Sequence, residues 1–126
     1  MGLVEITGRV AMRFREQSFA AALEICSENE KAQVVHAWIP GGSGFVVHAW
    51  AEIEDAVYDL TESNDPVARN EYYEQHKVHE SLVRRYDRVD FFTLVAETGS
   101  FGPFDREFFF ANEVSAEVLH QNVQYE

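Results

Sequence analysis

The residues with the most chemistry to offer are two histidines and one carboxylate. His36 and His48 sit in matching pentapeptides, Val34-Val35-His36-Ala37-Trp38 and Val46-Val47-His48-Ala49-Trp50, and Asp59 follows in Val57-Tyr58-Asp59-Leu60-Thr61. An imidazole oriented by a carboxylate is the supporting half of a nucleophilic relay. The carboxylate fixes the ring tautomer and stabilises the imidazolium formed when the ring takes a proton. The nucleophile must come from another element, and a helix N-terminus suits it because the dipole stabilises the developing anion. Ser18 and Cys26 are the two candidates. Cys26 falls on the same helix face as Phe19 and Leu23, near the C-terminal end, where the dipole disfavours a thiolate; that placement reads as packing. Ser18 lies near the helix start, where serine also serves as a cap.

The elements that would position these groups follow from periodicity. From Glu16, Phe19, Ala22, Leu23 and Cys26 recur on one helix face, which predicts a helix ending near Asn29. Residues 3–14 fit neither strand nor helix clearly. Gln33–Ile39 and Phe45–Ile53 read as strands joined by the turn cluster Pro40-Gly41-Gly42-Ser43-Gly44. Glu54-Asp55 is a short turn into a third strand, Ala56–Leu60, and the three strands form a meander. Asp65-Pro66 reads as a helix start, with a polar helix to about His76. Leu82–Tyr86 fits a fourth strand. Asp87 with Asp90 marks another helix start, and Thr98-Gly99 its stop. Phe108-Phe109-Phe110 fits a short strand or a segment docked on the core. The fold class is therefore α+β, with an N-terminal helix packed on an antiparallel meander sheet and further helices after it, as one domain over residues 1–126.

Register decides which side chains meet, because successive residues on a strand face opposite ways. With Ile39 opposite Phe45, His36 is opposite His48. With Glu54-Asp55 as a two-residue turn, Trp50 is opposite Asp59. His36, His48, Trp50, Glu52, Asp59 and Thr61 then share one face, and His48 and Asp59 are diagonal neighbours within side-chain reach. This predicts a site with Ser18, His48 and Asp59 as its reacting or vestigial groups, lined by Trp50, His36 and Glu52. His36, His48 and Asp59 also have the donor types of a two-histidine, one-carboxylate metal centre, and His76 with His79 is a second donor pair. Neither spacing supplies convergent geometry, so no metal or other cofactor is assigned.

The run Val47-His48-Ala49-Trp50-Ala51-Glu52 … Val57-Tyr58-Asp59-Leu60-Thr61 behind a helix resembles the papain-like and transglutaminase-like fold of small bacterial and phage proteins. The resemblance extends over residues 15–104 and touches Thr98–Phe104, with Val47–Thr61 its specific part. It implies a Cys at the start of the first helix, a His-Ala-Trp strand supplying the base and a following strand supplying the Asp. Here Gln17-Ser18-Phe19-Ala20 stands at the helix start, with serine in the cysteine's place. A hydroxyl is not ionised by a helix dipole alone and needs His48 to remove its proton. The resemblance implies a degenerate, non-catalytic member acting as a binding or regulatory module. The first alternative is a hydrolase or acyl-transfer enzyme on amide bonds, with Ser18 as nucleophile, His48 as base and Asp59 as orienter. The second, from the helix-then-meander order, is a cystatin-like α+β ligand-binding domain.

Bulk composition narrows the partners. There are 22 acidic and 10 basic residues, a formal net charge of −12, which repels nucleic acid and anionic membranes. The expected partner is a protein or peptide, or a second copy in a homodimer. The one cysteine permits no internal disulfide, no apolar run approaches a membrane span, and Met1–Glu5 carries no basic and apolar leader pattern. These features point to a cytoplasmic setting.

Overall fold

The computed structural model describes residues 13–41 and 44–113. The elements in chain order are α1 (Glu16–Glu28), β1 (Gln33–Gly41), β2 (Gly44–Ile53), β3 (Ala56–Tyr58), β4 (Val67–Ala68), α2 (Arg69–Gln75), a 3-10 turn (Glu80–Leu82), β5 (Val83–Tyr86), α3 (Arg88–Thr98) and α4 (Arg106–Ala111). The five strands form one antiparallel sheet in the order β4-β3-β2-β1-β5. The architecture is α+β: an N-terminal helix, an antiparallel sheet, and further helices beyond the meander. The ambiguous residues 3–12, residues 42 and 43 of the turn cluster, and the chain beyond 113 lie outside the described residues.

The sheet is covered on both faces. On one side Phe19, Ala22 and Cys26 of α1 pack with Val34, Trp38, Val47 and Ala49, joined by Phe91 of α3 and Phe109 of α4. On the other, Val35, Ala37, Ile39, Val46, Trp50 and Val57 pack beneath Tyr72 of α2. Each of β1 and β2 therefore buries at least six consecutive residues, and that is why both read as continuous apolar runs and not as alternating strands.

Several local signals act as their chemistry requires. The Asp87 side chain caps α3 by accepting from Asp90 N at 2.8 Å, and Gly99 ends it in the left-handed region at φ +70°. α1 stops at Glu28, with Asn29 extended behind it. Cys26 is fully buried, and burial raises its thiol pKa, with Arg88 opposing and Asp87 adding to the effect.

Four expectations are corrected. The helix expected from Pro66 begins only at Arg69. Val67 and Ala68 instead pair with Val57 and Ala56 as β4, and Arg69 N donates to Asp55 O at 2.7 Å. Pairing the exposed β3 edge with two more residues outweighs the helix-start signal of Asp65-Pro66. The third strand ends at Tyr58, not Leu60, because Asp59 turns to accept hydrogen bonds from Thr61. Of the two readings of Phe108–Phe110 the strand is corrected and the docked segment holds: it is helical, Phe109 is buried in the core, and its carbonyl accepts from Trp38 Nε1 at 2.8 Å. The fourth correction concerns the first hairpin. Gly41 pairs with Gly44, so two residues and not five connect β1 to β2. His36 is thereby opposite Ala49, and His48 opposite Ala37. One residue of slip turns every side chain of a strand to the other face, so His36 and His48 do not share a face.

Candidate functional site

The second hairpin has the expected register. Ile53 pairs with Ala56 across Glu54-Asp55, and the pairing runs to Ala51 opposite Tyr58, just beyond which Asp59 meets His48. His48 Nε2 lies 2.7 Å from Asp59 Oδ2, with the imidazole fully buried and Asp59 nearly so. Tyr72 of α2 donates to the same oxygen at 2.6 Å. The other oxygen accepts from Thr61 N at 3.1 Å and Thr61 Oγ1 at 2.6 Å. Burial pushes the Asp59 carboxyl up. The hydrogen bond and charge of His48, with the hydrogen bonds from Thr61 and Tyr72, outweigh it and bring the carboxyl down to about 2.

The other ring nitrogen meets an arginine. β3 is short and covers only Ala51–Ile53 of β2, so the β2 edge beyond it needs another partner. Residues 13–15 supply it: Arg15 N donates to Val47 O at 3.1 Å and Val47 N to Arg13 O at 2.9 Å, a parallel bridge centred on Phe14 and Val47. Arg15 is still extended, at φ −92° and ψ 95°, before α1 begins. It therefore follows Phe14 onto the opposite face, beside His48. Its Nη1 lies 3.5 Å from His48 Nδ1, a long contact. With Nε2–H donating to Asp59 and Nδ1 turned to a guanidinium, the hydrogen-bond pattern assigns the Nε2–H tautomer.

Ser18 lies one helical turn further on, and its hydroxyl is engaged with backbone. Ser18 Oγ donates to Arg15 O at 2.6 Å and accepts from Ala49 N at 3.1 Å. Ala49 N is the next edge donor of β2 left without a strand partner, so Ser18 completes what residues 13–15 begin. Among the described residues no hydrogen bond joins Ser18 to His48. Ser18→Ala leaves Ala49 N buried and unpaired, and the expected cost is about 1–3 kcal/mol in urea unfolding.

Trp50 and Glu52 share the His48 face, as expected, but within a closed network. Trp50 is fully buried, and its Nε1 donates to Glu52 Oε2 at 2.9 Å. The Tyr73 hydroxyl also donates to that oxygen, and Arg69 and Arg85 each stand 3.7 Å from Glu52 Oε1. Adjacent tyrosines of α2 thus tie two buried carboxylates, Asp59 through Tyr72 and Glu52 through Tyr73. A cleft of about 170 Å³ opens beside this cluster, lined by Asp59, Glu62, Tyr72, Gln75 and His76 among others. His76 Nε2 is 3.6 Å from Glu62 Oε1. Among the described residues no group of three or more His, Cys, Asp or Glu is placed to hold a metal ion, and no helix is long and apolar enough to cross a membrane.

His36 lies on the other face inside a ring of aromatics. Its centroid is 4.6 Å from Phe19, 5.1 Å from Tyr86, 5.7 Å from Phe104 and 6.2 Å from Phe91. Both ring nitrogens are buried without a hydrogen-bond partner. Gly102 closes the ring at φ +120°, and a Cβ there would stand 2.6 Å from His36 Cε1. Burial lowers the His36 pKa to about 3.

No protein-family model, curated protein or solved structure matches this chain. The geometry alone therefore carries any functional reading. The sequence does not single out Arg15, and Tyr72 reads there as a core or dimer contact and not as a member of the site. Arg15 precedes the apolar helix pattern, and Tyr72 acquires its role only when α2 packs over the sheet.

Proposed function

We propose that this domain is a non-catalytic member of a papain-like or transglutaminase-like fold that acts as a binding or regulatory module in a reducing, cytoplasmic setting. One observation carries the reading. The relay half, His48 with Asp59, is assembled, while the hydroxyl of Ser18 is spent on Arg15 O and Ala49 N and not on the imidazole. A base without a nucleophile in hydrogen-bond reach supports a structural role for the pair. Its fully buried setting, tied to α2 through Tyr72, supports the same role. The acidic surface favours a partner with complementary basic charge.

The alternative is an amide hydrolase or acyl-transfer enzyme using Ser18, His48 and Asp59. It draws support from the same His48–Asp59 bond and requires Ser18 to leave both backbone partners. The cystatin-like alternative has less support, because α1 begins directly beside His48. The deciding experiment treats the full chain with a serine-directed fluorophosphonate and maps adducts by mass spectrometry. The expected result is no adduct at Ser18. A stoichiometric adduct there, abolished by His48→Ala, overturns the non-catalytic reading.

A further inference from the structure

We propose that position 15, not position 18, is the point from which a nucleophile would meet His48, and that Arg15 standing there locks the imidazole out of proton transfer. The inference rests on reading His48–Asp59 as a dismantled relay, and it names the residue that dismantles it.

The argument is one of strand geometry. In the parallel bridge of Phe14 with Val47, the next rung sets residue 15 beside residue 48. Neighbouring residues on adjacent strands point their side chains the same way, so position 15 shares the face of His48. Position 18 does not: α1 has turned by then, and Ser18 is buried, its hydroxyl reaching only backbone, Arg15 O and Ala49 N. The ring nitrogen left over after Asp59 takes Nε2 is Nδ1, and it faces Arg15 Nη1. A guanidinium has donors and no acceptor. It can hold the Nδ1 lone pair but can neither give that nitrogen a proton nor act as a nucleophile. Position 15 also directly precedes the first turn of α1, whose unpaired backbone N–H groups favour negative charge. A thiol in that place would have both a base and a helix N-terminus beside it, whereas a thiol at 18, although within the first turn of α1, would have no base in contact.

The test compares Arg15→Cys with Ser18→Cys, each made in the full chain carrying Cys26→Ala, by following iodoacetamide alkylation against pH. The expected result is that the Arg15→Cys thiol ionises at least one pH unit below the ordinary value of about 8.5 and alkylates about tenfold faster at neutral pH than the Ser18→Cys thiol. An Arg15→Cys thiol titrating near 8.5, or a faster Ser18→Cys thiol, overturns the inference. A measurement on the unaltered protein stands apart from how the variants fold. Long-range proton–nitrogen spectra are expected to show His48 as the Nε2–H tautomer with Nδ1 bare. A proton on Nδ1 removes the lock. These readouts lie on residues 15 and 48, whereas the non-catalytic reading stands or falls on an adduct at Ser18 of the unaltered chain.

Discussion

Asp59→Ala is expected to be the most destabilising of the single substitutions considered, at about 3–5 kcal/mol, because it strands a set of buried donors at once. Asp59 accepts from His48, Tyr72, Thr61 N and Thr61 Oγ1, and its side chain is almost fully covered. Removal leaves the buried His48 Nε2–H and the Tyr72 hydroxyl without their shared acceptor. It also unties α2 from the sheet, so loss of protection in α2 should exceed that in α1 when amide exchange is followed. Asp59→Asn keeps the volume and one acceptor oxygen, and is expected to cost less. Equal costs for the two variants in urea unfolding would show that the carboxylate is not the tie described here.

His36 is expected to set the acid limit of the fold. Its folded-state pKa is about 3, below the ordinary histidine value near 6.5 that the unfolded chain has. Between those two values the unfolded chain binds the extra proton and the folded chain does not. Stability from this group is therefore fully present above about pH 6.5 and falls by about 1.4 kcal/mol for each pH unit below it, approaching 5 kcal/mol near pH 3. Arg84 pairs with His36 in the strand register, and its guanidinium lies over the Phe108 ring. Among the described residues, the carboxylate tied to the surrounding ring of aromatics is Asp105, which accepts from the Tyr86 hydroxyl at 2.6 Å. His36→Leu keeps a similar volume and removes both unpartnered nitrogens. It is expected to be at least as stable as the parent at pH 7 and to lose most of the dependence between pH 6.5 and 4 in urea titrations. An unchanged acid limb in that variant would assign the sensitivity elsewhere. Asp59 acts in a lower window. Its carboxyl pKa is depressed to about 2, so its stabilisation is complete above about pH 4 and is lost as pH falls through 2. The two windows are separable by comparing the two variants.

The two histidines show why like sequence does not mean like role. Each stands third in a Val-Val-His-Ala-Trp run, yet one is a hydrogen-bonded partner of Asp59 and the other an apolar filler among Phe19, Tyr86 and Phe104. Nothing in the pentapeptide separates them. The length of the connection after β1 does, since an even or odd number of residues there decides which face each strand presents.

What the sequence by itself determined is local. The 3.6-residue recurrence from Phe19 to Cys26 set α1, the long apolar runs set β1 and β2, Asp87 and Gly99 bounded α3, and the two-residue turn Glu54-Asp55 brought His48 to Asp59. In each case the interacting groups lie within one element or across one tight turn, where backbone geometry leaves few choices. The tertiary structure alone decided the rest. It set Val67-Ala68 on the β3 edge, α2 over Asp59 and Glu52, and residues 13–15 along the part of β2 that β3 leaves bare. Those outcomes turn on which buried N–H and C=O groups still lack partners once the sheet has formed. No residue carries that information alone, so Ser18 could be read as a nucleophile while its hydroxyl served Ala49, and Arg15 could pass unnoticed beside the imidazole.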